Sequence, residues 1–154
     1  MRVLKKKYKH PKRPWDSSRI EEEKKVLKEF GLNRKKEIWR AEEIVRNFRR
    51  RARNLIAVQD DEKKKALVKK VSELGLLRKD QELKDILSLT SKDILGRRLQ
   101  TIIYRKELAD SIRHARQKIT HGHVYIDGRR VIFPSLIVPV EKEGSIIVKG
   151  ADKK

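Results

Sequence analysis

Apolar residues recur at helical steps through the first half of the chain. Ile38, Ala41, Val45, Phe48, Ala52 and Leu55 follow at intervals of three and four, forming one stripe of a long helix that begins near Asn33. Ahead of it, Ser18-Arg19-Ile20-Glu21 fits a capping box opening a first helix, and Gly31 fits the residue just past its end. Asp60 suits the cap of a third helix that stops at Gly75 and buries Leu67, Val71 and Leu74. A short fourth helix is expected from Asp80 to Ser88, burying Leu83, Ile86 and Leu87. Residues Ile94 to Arg105 read as one further helix with Leu95, Leu99, Ile102 and Ile103 inward. After a break at Leu108-Ala109-Asp110, another helix, capped by Asp110 or Ser111, runs to Gly122 with Ile112, Ala115 and Ile119 inward.

The period then shortens. Val124-Tyr125-Ile126 and Arg130-Val131-Ile132 flank Asp127-Gly128, a strong signal for a two-residue hairpin turn. Two more strands are expected around Leu136–Val140 and Ile146–Val148. The fold class is therefore α+β: a helical N-terminal half with a basic tail, then two helices with a small antiparallel sheet. The divisions expected are a tail over residues 1–15, a helical region over 16–90, a compact domain over 91–150 and a short tail over 151–154.

Charge sharpens this outline. Of 154 residues, 42% are charged and 37% hydrophobic, with 42 Lys and Arg against 22 Asp and Glu, a net charge of +20. Such self-repulsion opposes compaction, and a polyanion relieves it by exchanging small counterions for phosphate contacts. Residues 1–60 carry 20 basic and 9 acidic residues, residues 61–90 carry 8 and 6, and residues 91–154 carry 14 and 7. Two basic flanks joined by a nearly balanced connector suggest two RNA-facing regions. The tail has little to bury and holds Pro11 and Pro14, so it is expected to be free in solution and to order on RNA, with Tyr8 and Trp15 either stacking on bases or, more usually, anchoring it to the body.

The apolar runs Val131-Ile132-Phe133 and Leu136-Ile137-Val138 are too short to cross a bilayer, and no apolar signal segment follows the basic N-terminus. A soluble, cytoplasmic protein with no membrane partner is expected. There is no cysteine, which excludes disulfides, thiolate catalysis and cysteine-based zinc sites. His121 and His123, with His114 nearby, lack an obvious further ligand, so no metal and no cofactor are expected. Glu21-Glu22-Glu23 is read as an acidic first turn matched to the helix dipole and not as a catalytic pair. No phosphate loop or nucleophile set is present, and the chain is read as no enzyme.

Candidate RNA contacts lie in both halves of the chain. In the first half they are Arg13, Arg19, Arg34, Lys35, Lys36, Arg40, Arg46, Arg49, Arg50 and Arg53, the last four in a run without the i,i+4 acids of an ordinary solvated helix face. In the second half they are Arg97, Arg98, Arg105, Ser111, Arg113, Arg116, Gln117, Lys118, His121, His123, Arg129 and Arg130. Arg98 and Arg105, seven apart, are expected on one helix face. Arg113 and Arg116 are placed in the first turns of a helix, where backbone N–H groups and the dipole also favour phosphate; reversing both charges is expected to weaken RNA binding and spare the fold.

Arg98-Leu99, Ser111, Ala115-Arg116, Ile119, His121-Gly122-His123-Val124, Ile126-Asp127-Gly128 and Pro134-Ser135 resemble the signature of the S-four RNA-binding domain. That resemblance implies two antiparallel helices against a small strand cluster, gripping structured RNA through the second helix and the hairpin loop. Upstream, Tyr8-Lys9-His10-Pro11-Lys12-Arg13-Pro14-Trp15, Ser18-Arg19 and Glu29 to Arg40 resemble the small-subunit ribosomal protein four family of the archaeal and eukaryotic type, as does Arg97-Arg98-Leu99-Gln100-Thr101. It implies a primary binder of small-subunit ribosomal RNA that fixes a multi-helix junction in the subunit body, aids assembly, contacts the neighbouring small-subunit protein five and lies near where messenger RNA enters. The short stretch after Val148 points to the archaeal type. Ile112 stands where an Arg is common in the wider domain family, so Arg113 is expected to take over that contact, and Asp127 stands where Asn is common, as a turn former. Two rival classes stand beside this reading: an RNA-modifying enzyme, for which residues 1–90 are too short and polar to supply a catalytic domain, and a chromatin-like DNA binder, which charge alone permits.

Overall fold

The structure is a computed structural model that describes residues 7–58, 60–78 and 82–149. The first helix, α1 (Ser17–Glu29), begins one residue earlier than the expected capping box: the Ser18 hydroxyl donates to the Asp16 carboxylate at 2.8 Å from within the helix. Glu21, Glu22 and Glu23 therefore lie beyond the first turn and do not serve the dipole. The helix ends as expected. Leu32 N–H bonds the Leu27 carbonyl at 2.9 Å, with Gly31 at φ +57° between them. A Cβ on Gly31 would stand 2.6 Å from Ile112 Cγ2, so this glycine also lets the C-terminal module approach closely.

The long helix α2 (Lys35–Ala57) buries Ile38, Ala41, Val45, Phe48 and Ala52, the stripe read from the sequence. Leu55, at its end, is only partly buried. Asp60 caps α3 (Asp61–Glu73) by accepting from the Lys63 N–H, and Leu67 and Val71 are buried on it. The expected fourth helix is instead a 3-10 helix, Leu83–Ser88, opened by a reciprocal Glu82–Asp85 box; its expected start at Asp80 lies outside the described residues. Short connecting segments of this kind commonly adopt 3-10 hydrogen bonding.

The expected helix Ile94–Arg105 is two helices, α4 (Ser91–Gly96) and α5 (Leu99–Arg105). Between them Arg97 and Arg98 are drawn into a backbone bridge: Leu99 N–H donates to Leu136 O at 2.7 Å and Val138 N–H to Arg97 O at 3.1 Å. The apolar spacing runs on across the break, but the two helices bury it in different places, Ile94 and Leu95 in one cluster and Leu99, Ile102 and Ile103 in the other. The shared face proposed for Arg98 and Arg105 does not exist.

After α5, Ser111 caps α6 (Ile112–Thr120) by accepting from the His114 N–H at 3.1 Å. Strands β1 (Val124–Ile126) and β2 (Arg129–Arg130) form the expected hairpin turn, with Asp127 and Gly128 at φ +50° and +74°, as a type I′ turn requires, although the second strand is Arg129–Arg130 and not the expected Arg130–Ile132. Strand β3 (Ile146–Val148) pairs antiparallel with β1, so the sheet order is β2-β1-β3. The strand expected at Leu136–Val140 does not join the sheet; its middle bridges Arg98 and its end begins the single turn α7 (Val140–Glu143).

Apolar side chains gather into two clusters. One runs from Phe30 to Leu95 and packs α2 against α1, α3, α4 and the 3-10 helix. The other runs from Leu99 to Val148 and packs α5 and α6 on the sheet. The described part of the tail is not free. Tyr8 and His10 lie 5.9 and 5.2 Å from the Trp39 ring, and Arg19 donates to the carbonyls of Arg13 and Pro14. Of the two aromatics considered as anchors, Tyr8 is one and Trp15, 89% exposed, is not.

Candidate nucleic-acid interface

The first turn of α2 projects Glu37 toward the C-terminal module. Its carboxylate accepts from Asn33 N–H at 3.2 Å, from the Arg98 guanidinium, and from both Arg116 Nη atoms at 3.3 Å. Burial favours the neutral acid here, but the hydrogen bond and charge of Arg98, followed by those of Arg116, outweigh it and hold Glu37 below its ordinary value. Beside this node lies Gln100, 1% exposed. Its amide N–H groups donate to Gly31 O and Ile112 O, each at 3.0 Å, and its carbonyl accepts from Arg116 at 3.3 Å. One glutamate and one glutamine thus tie α1, α2, α5 and α6 together. Neither stands out as a site in the sequence, because what each touches lies on other elements.

Several predicted contact residues also bond within the protein. Arg98 is 4% exposed and faces Glu37. All three guanidinium nitrogens of Arg97 are bonded, to Leu74 O, Glu143 and Val138 O, at 2.9–3.0 Å. Arg116 is held by Glu37 and Gln100, so reversing its charge would damage the junction as well as any RNA contact. Lys35 and Arg19 both pair with the buried Glu23, which also accepts from Trp39 at 3.0 Å. Burial opposes the Glu23 charge, yet the bonds from Trp39 and Lys35 prevail and lower its pKa. Arg49 donates to Leu89 O, and Arg46 pairs with Glu43, so the run along α2 is not wholly free of acids. Lys118 donates to Leu108 O at 3.1 Å. Ser111 is the α6 cap.

The remaining cations face solvent on two surfaces. Arg34, Lys36 and Arg40, all exposed, line a cleft of about 540 Å³ whose other walls include Arg98, Arg116, Pro134 and Ser135; Glu37 is its one acidic lining residue. Arg50 and Arg53 continue along α2, with Arg13 exposed on the segment before α1. On the C-terminal module Arg113 and Gln117 stand exposed one turn apart on α6, and Arg129 and Arg130 emerge at the hairpin. Arg130 lies over Gly122, donating to His121 O at 3.0 Å; a Cβ on Gly122 would overlap its guanidinium. The His121 and His123 rings lie nearly parallel, 6.4 Å apart, and border a hollow with His114, Gln117, Lys118 and Lys149 that no carboxylate lines. Lys149, whose ammonium sits 4.8 Å from the Tyr125 ring, was missed by the sequence reading because it lies far along the chain from the hairpin. Arg105 is exposed and folds back toward Gly96. Exposed guanidinium groups on rigid elements offer forked donors suited to phosphate oxygens. Among the described residues no group of three His, Asp or Glu side chains is placed to hold a metal ion, and no helix is long and apolar enough to cross a membrane.

A pair of helices on a three-stranded sheet with a basic helix-and-hairpin face is the architecture of an S4 domain, and the S4 domain family matches residues 97–143. Similarity extends well beyond that module. The chain is 47% identical over 145 residues to small ribosomal subunit protein uS4 of Ignicoccus hospitalis, covering 92% of this chain and 87% of that one. It is 47% identical to the uS4 protein of Saccharolobus solfataricus, covering 92% and 80%, and 44% identical to that of Thermoplasma acidophilum, covering 92% and 74%. The chain belongs to the small ribosomal subunit protein uS4 family.

Proposed function

We propose that this chain is a structural constituent of the small ribosomal subunit, a primary ribosomal RNA binder in the cytoplasm that fixes the relative angle of RNA helices meeting at a junction and so aids assembly. Contact with small-subunit protein five, and a place near where messenger RNA enters, belong to the same reading through the family resemblance. Membership in a family of ribosomal proteins speaks against an enzyme. The observation that carries the proposal is the braced junction: two outward cationic surfaces, one on α2 and one on α6 with the hairpin, are held at a set angle by Glu37, Arg98, Arg116 and Gln100.

A-form RNA conceals its base edges in a narrow major groove, so backbone and 2′-hydroxyl contacts are expected to dominate. Exposed Arg34, Lys36, Arg40, Arg50, Arg53, Arg113, Arg129 and Arg130 are the proposed phosphate contacts, with Gln117, His121 and His123 at their edge. The test compares a structured small-subunit RNA junction with duplex DNA of equal length across a salt series. Preference for the RNA, with affinity falling steeply over a slope worth on the order of five to ten phosphates, supports the proposal. Equal binding of both, a flat salt dependence, or absence of the protein from small subunits after a high-salt wash overturns it.

A further inference from the structure

We propose that Trp15 is a stacking platform for an unpaired RNA nucleotide, with Lys12 and Arg13 beside it for the phosphate; this rests on the RNA-binding reading above. Among the described residues Trp15 is the most exposed large apolar side chain, at 89%. Indole rings are ordinarily withdrawn from water or buried in a partner. The loop that carries it is held firmly. On one side, Arg19 Nη2 donates to the carbonyls of Arg13 at 2.8 Å and Pro14 at 3.0 Å, while its Nη1 donates to Glu23 at 2.8 Å. On the other, the Asp16 carboxylate accepts from Ser18 at 2.8 Å and the Asp16 carbonyl accepts from Ile20 N–H at 3.1 Å. The backbone is thus fixed on both sides of a ring that touches little. Fixing a binding group before the partner arrives lowers the entropy lost on association. Anchoring of the segment does not need this ring, because Tyr8 and His10 already pack on Trp39.

The surroundings select the occupant. The shallow concavity at Trp15 is lined by Lys12, Arg13, Pro14, Asp16 and Ser17, with no second large apolar side chain. A protein anchor is normally ringed by contacts that exclude water. A nucleotide needs what is here, an aromatic face for the base and cations for the phosphate.

The experiment uses the full chain with an RNA junction fragment bearing unpaired nucleotides, and a fully paired RNA of equal length as control. Trp15→Ala lowers affinity for the junction about tenfold, the effect of losing one base–aromatic stack. Trp15→Phe retains most of the binding, and the paired control is unaffected by either change. The salt slope stays at the wild-type value in Trp15→Ala, because no phosphate contact is removed, whereas Lys12→Ala with Arg13→Ala lowers it. Tryptophan emission falls on adding the junction to wild type and falls less in Trp15→Phe. Wild-type affinity in Trp15→Ala overturns the inference and leaves the RNA-binding reading standing. So does equal loss on the paired control. If Trp15→Ala binds naked RNA normally but drops out of assembled small subunits, the ring faces a protein and the inference is overturned. A wild-type chain without salt-dependent RNA binding overturns the parent reading itself.

Discussion

Along α2, Arg50, Arg51 and Arg53 stand exposed behind an apolar stripe that faces the other way, whereas in the C-terminal module Arg97, Arg98 and Arg116 turn inward and meet carbonyls, Glu37, Glu143 and Gln100. The helical half can leave these three outside because a twenty-three-residue amphipathic helix builds a core from one face alone. The helix-and-sheet half is made of short elements, seven- and nine-residue helices and strands of two or three, whose apolar faces are small. It borrows rigidity from ion pairs and hydrogen bonds to its neighbour. Positive charge therefore does two jobs in one chain, and equal residue types on the two sides of the junction are not equivalent.

The largest expected effect comes from breaking the brace. Glu37→Ala leaves Arg98 buried without its partner and Arg116 facing a like charge, and should cost about 3 kcal/mol in denaturant unfolding, the low end for a broken buried pair because Glu37 keeps some contact with water. An unfolding midpoint unchanged from wild type would show that the inward arginines are spectators. Gln100→Leu comes next, at roughly 2 kcal/mol, since the Gly31 and Ile112 carbonyls lose their donor. Comparable stability in that variant would mean that Gln100 adds nothing to the brace of Glu37, Arg98 and Arg116.

The outward set is tested by Arg113→Glu with Arg129→Glu, which should lower affinity for a structured RNA roughly tenfold or more and reduce the salt slope by about two, with no shift in the melting temperature. Melting that moves together with affinity would erase the distinction between the two kinds of arginine. The smallest effect is acid sensitivity. Glu37 has a folded pKa held below the ordinary 4.5, so its stabilisation is whole above that value and is lost as pH falls through the lowered one. Stability of wild type relative to Glu37→Gln should therefore shrink on going from pH 5 toward pH 3; a constant difference over that range contradicts an ionised brace.

The stripe on α2, the glycine ends of α1, α3 and α6, the caps at Asp60 and Ser111 and the Asp127-Gly128 turn were all legible, each being decided by residues within a few positions of one another. Reading failed where distant backbone intervened. The helix expected over Ile94–Arg105 was broken because residues 136–138 capture Arg97 and Arg98, and Leu136–Val140 was thereby lost to the sheet. For the site, a list of basic residues was legible, but its division was not: Arg98 and Arg116 meet a glutamate 61 and 79 positions away.

By itself the sequence determined the helical half, the hairpin, the surplus of +20 and, through spaced signature residues, the family. Those depend on local periodicity, on backbone preferences and on composition, which act within a turn or two or need no geometry at all. Only the tertiary structure decided which cations brace the junction, which face outward, and that Trp15 stands bare while Tyr8 is anchored. A guanidinium is pulled toward whichever carboxylate or carbonyl the fold brings near, and that neighbour is set by chain crossings that no short window contains.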